Sequence, residues 1–252
     1  VEGSALYQTA PAEGVCEVVL YSPHHGSSLA QEPVSQIRNL IEVWTDRYLE
    51  LGQRPGIHYV LIFENKGDAV GVTLSHPHGQ IYAFPFIPPT LEKELEAALE
   101  HQKTTDQCLY CHILAEEKVD GVRIIAEQAE AVAFVPFFAR YPFEVHIYTS
   151  RHVPSLAEFT SEEQEGLAKV LKDVLLKYDS LFGFSLPYIM VLHQAPPKGD
   201  YPHYHFHIEL YPLNRAATKL KYLAGVESGA GTFITDMSPE HQAARLRGEL
   251  HD

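Results

Sequence analysis

Two stretches of the chain carry apolar residues at steps of three and four. Ile37, Leu40, Ile41, Trp44, Tyr48 and Leu51 form one stripe, and Leu167, Val170, Leu171, Val174, Leu175 and Tyr178 form the other. That spacing keeps one side of an α-helix apolar, so each stretch is predicted to be a helix with that side against a core. Gly52 and Gly183 follow the stripes and are expected to end the helices. Each helix is preceded by a β-rich run entering a polar turn, EVVLYSPHH at 17–25 and EVHIYTSRH at 144–152. Each is followed by another such run, YVLIFENKG from Tyr59 and YIMVLHQAP from Tyr188.

The two sets are copies of one another. At a constant offset of 127, Glu17 matches Glu144, Val18 matches Val145, Leu20 faces Ile147, Tyr21 matches Tyr148 and His25 matches His152. From Tyr59 and Tyr188 onward the offset is 129, and it holds through H-P-H-G-Q at 76–80 and H-F-H-I-E at 205–209. The pattern predicts a duplicated α+β unit with antiparallel sheets and packed helices, its halves spanning 1–100 and 101–252. Alternate strand residues share a face, so His76, His78 and Gln80 are expected to point one way, and His205, His207 and Glu209 likewise. Pro77 lacks an amide hydrogen and marks an edge or a break in the ladder.

Composition narrows the function. Apolar residues make up 45% and charged residues 21%, an ordinary soluble balance. A net charge of −14 argues against nucleic-acid binding, which needs a basic face, but leaves a small anionic substrate open. No apolar run approaches the roughly 20 residues of a membrane helix. Cys16 stands alone, while Cys108 and Cys111 form a C-x-x-C pair, which fits metal or redox use in a reducing compartment such as the cytoplasm better than a disulfide framework.

Cys108, Cys111, His152 and His205 would make a tetrahedral Cys2His2 set suited to zinc. The competing reading makes His152 a surface turn residue and His205 a hydrogen-bonded strand histidine. The repeat picks out His25 and His76 as the equivalent metal-binding histidines of the first half. Positions 127 before Cys108 and Cys111 fall ahead of Val1, so a first cysteine pair is expected upstream of this chain.

The stretch FENKGDAVGVTLSHPHGQIYA at 63–83, with YQTAP at 7–11 and PEHQAARLR at 239–247, resembles galactose-1-phosphate uridylyltransferases of the histidine-triad superfamily. The resemblance runs over essentially the whole chain, and its N-K-G…H-P-H-G-Q signature is highly specific. It implies two histidine-triad-like halves, the first carrying the nucleophile and the second a metal site and a sugar-phosphate segment. His78 stands at the family's nucleophile, and His25 and His76 at zinc ligands completed by upstream cysteines. Asn65, Gly71 and Gln80 match positions that contact nucleotide phosphates, Thr73 keeps a hydroxyl where many members have serine, and Lys221 and Glu227 match the sugar-phosphate segment.

The resemblance implies UMP transfer between UDP-glucose and galactose 1-phosphate through a covalent uridylyl-histidine, in ping-pong fashion, by a homodimer. Glutamine at 80 offers amide hydrogens and no acid, which points to transfer rather than hydrolysis. A second metal, zinc or iron, would use either Cys108, Cys111, His152 and His205 or the set Glu94, His193, His205 and His207 found in some members. Val226 and Phe233 fall where many galactose-specific members have tyrosine and glutamine, which leaves the hexose open. The alternatives are a relative acting on ADP-sugars and a non-catalytic zinc module.

Overall fold

The computed structural model describes residues 6–7 and 13–250, so most of YQTAP lies outside the described residues. Helices and strands alternate in the order β1 (Val15–Leu20), α1 (Val34–Gln53), β2 (Tyr59–Lys66), β3 (His78–Phe84), α2 (Pro89–Thr105) and α3 (Leu109–Asp120). They continue as β4 (Ile124–Glu127), β5 (Ala131–Phe134), β6 (Val145–Thr149), α4 (Ser161–Leu181), β7 (Tyr188–His193) and β8 (His207–Pro212). A hairpin of β9 (Asn214–Ala216) and β10 (Lys219–Leu220) and two short helices, α5 (Gly225–Ala230) and α6 (Pro239–Leu246), complete the chain.

Eight strands form one antiparallel sheet in the order β1-β3-β2-β7-β8-β6-β5-β4, an α+β fold. The central β2–β7 pair relates two similar triplets, β1-β3-β2 and β6-β8-β7. Both predicted helices form, and every residue of the two apolar stripes is buried. Side by side, α1 and α4 cover one face of the sheet. A capping box starts α4, with Thr160 Oγ1 accepting from the Glu163 amide at 3.2 Å and Glu163 accepting from the Thr160 amide at 2.8 Å.

Three expectations are corrected by the geometry. Gly52 lies inside the last turn of α1 rather than beyond it, and a Cβ there would overlap Pro197. Its smallness serves helix–loop packing, whereas Gly183 follows α4 at a φ of 72°. The second correction is to register. Val60 pairs with Ala83 and Tyr188 with Pro212, which lie 129 apart, so Tyr188 is the counterpart of Val60 and not of Tyr59. By the same test Val19, opposite Gly79, corresponds to Ile147, opposite Ile208, and Leu20 points to the other face. A one-residue slip exchanges the faces of a strand, so matched side-chain identities at the tyrosines misled the alignment by one position. Thirdly, His76 and His205 precede their strands, which begin at His78 and His207. Pro77 therefore marks the break before the ladder; β3 itself is an inner strand, and the edge is β1.

Gly79 faces the α1 side of β3, where a Cβ would overlap the Tyr21 hydroxyl and lie 2.7 Å from Tyr21 Cζ. Overpacking of that kind costs about 1–3 kcal/mol. Gly79→Ala is expected to lower the urea midpoint accordingly with the denaturant slope unchanged; an unchanged midpoint would show that Tyr21 moves aside freely.

Candidate active site and metal centre

His78 opens β3, and its ring orientation is set by the chain just before it. Nδ1–H donates to the His76 carbonyl at 2.8 Å, which leaves the Nε2 lone pair bare. His78 borders a cavity of about 270 Å³ together with His76, Asn65, Gly67, Thr73 and Ser28. Gln80 follows on the same face of β3. Its Oε1 accepts from Tyr82 Oη at 3.1 Å, so its amide hydrogens remain to be donated.

Beside the nucleophile candidate, His25 and His76 bring their Nδ1 atoms within 3.2 Å. His76 Nε2–H donates to the Ser22 carbonyl at 2.8 Å, which leaves Nδ1 unprotonated and able to ligate. The second half repeats the device. His205 Nε2 lies 2.7 Å from Thr149 Oγ1 and 3.0 Å from the Thr149 carbonyl, to which its N–H can donate, and His152 Nε2–H donates to the Pro202 carbonyl at 3.0 Å. Both Nδ1 atoms then face the cysteines.

Cys108 caps α3 and Cys111 lies one turn further on, so a single helix start presents both sulfurs on one side. Cys111 Sγ lies 3.5 Å from His152 Nδ1 and 3.3 Å from His205 Nδ1, and Cys108 Sγ lies 4.0 Å from His205 Nδ1. Bonds of about 2.0–2.3 Å around a tetrahedral zinc place neighbouring ligand atoms roughly 3.3–3.8 Å apart. The four residues fit such an ion. The hydrogen bond from Cys111, joined by His152 and His205, holds the Cys108 thiol down to about 2, and sharing that proton pushes Cys111 up.

Glu94, His193 and His207 form the second candidate metal-binding group among the described residues. His205 is turned away from it, toward the cysteines. In its place Glu209 faces the group, with Nε2 of His207 at 3.5 Å and Nε2 of His193 at 3.7 Å. Arg140 reaches Glu209 at 3.0 Å, and Tyr211 Oη also bonds it. Burial opposes a charge on His193, but the Glu209 and Glu94 carboxylates outweigh it and push His193 up to about 9. Glu94 is held low despite its own burial by that imidazolium, 2.8 Å away.

The two histidine strands thus share a backbone device and differ in cover. His207 Nδ1–H donates to the His205 carbonyl at 2.9 Å, as His78 does to His76. In the second half α2 and α3 close over the face: the Tyr110 ring lies 4.8 Å from the His207 ring, and His207 and Glu209 are buried. In the first half the same face carries Val18 and Leu20 at 62% and 61% exposure.

Some sequence candidates lie apart from the His78 cavity. Gly71 closes the short turn over Asp68–Val70 at a φ of 82°, next to the cavity-lining Val72. Lys221 pairs with Glu227 at 2.8 Å and lines a separate cavity of about 530 Å³ with Val226, Tyr222 and Arg215. Phe233 packs on Tyr141 with ring centroids 5.6 Å apart. The sequence reading missed Tyr82 and the carbonyls of Ser22, Thr149 and Pro202, since backbone acceptors leave no mark on residue type.

Models of the galactose-1-phosphate uridyl transferase N-terminal and C-terminal domains match residues 1–88 and 94–252. A galactose-1-phosphate uridylyltransferase of Thermotoga maritima is 44% identical over 243 residues, covering 96% of this chain and 76% of that protein. One from Haemophilus influenzae is 36% identical, covering 98% and 71%. A solved uridylyltransferase structure superposes with a TM-score of 0.93 at 39% identity, covering 98% of this chain and 79% of that one. An Arabidopsis thaliana ADP-glucose phosphorylase with bound ADP-glucose gives 0.83 at 26% identity, covering 93% and 73%. Fold, paired histidine strands and sequence agree from one end to the other, and the chain belongs to the galactose-1-phosphate uridylyltransferase family.

Proposed function

We propose that this protein transfers UMP between UDP-glucose and galactose 1-phosphate, with His78 as the covalent nucleophile. The observation that carries this reading is the bond from His78 Nδ1–H to the His76 carbonyl at the edge of the cavity, which in the neutral ring leaves the lone pair on Nε2. Nε2 attacks the α-phosphorus of UDP-glucose, and the bond to the bridging oxygen breaks to release glucose 1-phosphate. The phosphorylated imidazole is cationic and leaves readily when galactose 1-phosphate attacks in turn, so neither displacement needs an acid. The Gln80 amide, held by Tyr82, supplies hydrogen bonds to the non-bridging oxygens. Asn65 and Thr73 line the same cavity and serve the phosphates, and Gly67 lets the backbone approach them.

The halves 1–100 and 101–252 divide the work in this reading, the first reacting and the second bracing. Cys108, Cys111, His152 and His205 would hold zinc, and His25 and His76 would hold a second ion with ligands from outside the described residues. Zinc bound at either place would serve as a structural cross-link rather than a reacting group. The alternative place for a second ion, zinc or iron, is Glu94, His193 and His207, beside which Glu209 is already paired with Arg140. The Lys221–Glu227 segment, which the family resemblance assigns to the sugar phosphate, borders another cavity. A homodimer in which this segment serves the partner's pocket reconciles the two. An ADP-sugar substrate is the second reading, supported by the likeness to the phosphorylase.

Three outcomes are expected. Labelled UDP-glucose should leave its nucleotidyl label on His78, and His78→Gly should lose exchange by several orders of magnitude; label on any other residue removes the mechanism. Cys108→Ser should lose one bound zinc while Glu94→Gln keeps it, and metal content that tracks Glu94 would reverse the ligand assignment. Mixing His78→Gly with Lys221→Ala subunits should restore activity lost in each alone, because a mixed dimer holds one intact composite site; no recovery places the segment in its own subunit's pocket.

A further inference from the structure

Glu64 is an acidic residue in the wall of a cavity read here as a phosphate site. It is 3% exposed, follows Val60 and Ile62 on the α1 side of β2, and borders the cavity beside Asn65 and His78. Tyr188 Oη donates to its Oε2 at 3.2 Å. Among the described residues, no hydrogen bond reaches Oε1. The nearest cation is Lys66 on the same strand, and Lys66 Nζ is already engaged by Asp179 of α4 at 3.1 Å and lies 5.1 Å from the Tyr188 ring centroid. On the remaining side stands Tyr21, whose hydroxyl is buried without a partner against the Gly79 backbone. His76 and His78, at the start of β3, border the same cavity.

An ionised carboxylate here would repel a diphosphate at close range, in a site where little water screens the charge. A protonated carboxyl does the reverse, since it carries one O–H donor that a phosphate oxygen can accept. We propose that Glu64 binds the substrate phosphates as a neutral carboxylic acid donating from the cavity wall, and that its ionisation sets the alkaline limit of the enzyme. The inference rests on the reading of this cavity as the nucleotide-phosphate site. Burial supports it, raising Glu64 to about 8 against the smaller opposing effects of Lys66 and Tyr188. The acid form therefore prevails at neutral pH, and affinity is present below that value and lost above it.

The test is calorimetric titration of UDP into the protein at pH 7 and pH 9, in the wild type and in Glu64→Gln. Wild-type affinity is expected to fall about tenfold over this interval, the loss that follows one unit above the midpoint. Glu64→Gln keeps an N–H donor and cannot ionise; it should bind a few-fold more weakly at pH 7 and show no fall by pH 9. A purely structural Glu64 would alter affinity or stability without removing the pH dependence. Wild-type affinity unchanged between the two pH values overturns the proposal, whether or not the variant folds. So does a Glu64→Gln protein with the wild-type fall. If UDP binds at neither pH, the phosphate reading of the cavity fails first, and the role of Glu64 with it.

Discussion

The proposed mechanism turns on one hydrogen bond, from the Nδ1–H of His78 to the carbonyl two residues before it. A neutral imidazole has one protonated and one bare nitrogen, and only the bare one can attack phosphorus. Fixing the proton on a backbone acceptor decides which nitrogen that is and where it points. The acceptor belongs to His76, whose own ring is tied to the Ser22 carbonyl on one side and meets His25 on the other. The residue that would ligate metal is thus the residue that orients the nucleophile. Metal at that place can influence the reaction without touching a substrate.

The second half carries the same device in a different setting. His207 is held by the His205 carbonyl in the same way, and its Nε2 is equally committed to one direction. That direction leads to Glu209 under a roof of α2 and α3, where the tilted Tyr110 ring lies against His207. The buried carboxylates there are balanced by Arg140 and a charged His193. Glutamine at 80 in place of glutamate, and an open face in place of a roof, separate the first copy, proposed here to receive phosphate, from the second.

Much of this was legible in the sequence because the repeat was carried by residue types with strong physical signatures. Helical stripes and the spaced histidines survive duplication visibly, and with the C-x-x-C pair of the second half they led to the four residues that lie together around Cys111. The register did not survive so plainly. Tyr59 and Tyr188 share an identity and not a job: one hydroxyl donates to the Gln194 carbonyl and the other to Glu64. Strand identity has a period of two, so a one-residue error leaves the composition of a strand intact while exchanging its faces. The separation of Lys221 and Glu227 from His78 was likewise hidden, because distance across a fold has no local pattern.

Position also explains why Glu64 escaped notice. A glutamate at the end of a β-rich run reads as a solvated strand terminus, and acidic side chains are seldom fully buried. Here the strand ends under the cavity instead of in water, with Tyr21 and Tyr188 packed around the carboxyl. The same feature that makes the residue easy to pass over in sequence gives it chemical consequence. Burial raises the Glu64 carboxyl, and in the proposed reading the proton it keeps makes an acidic side chain compatible with a wall that faces phosphate.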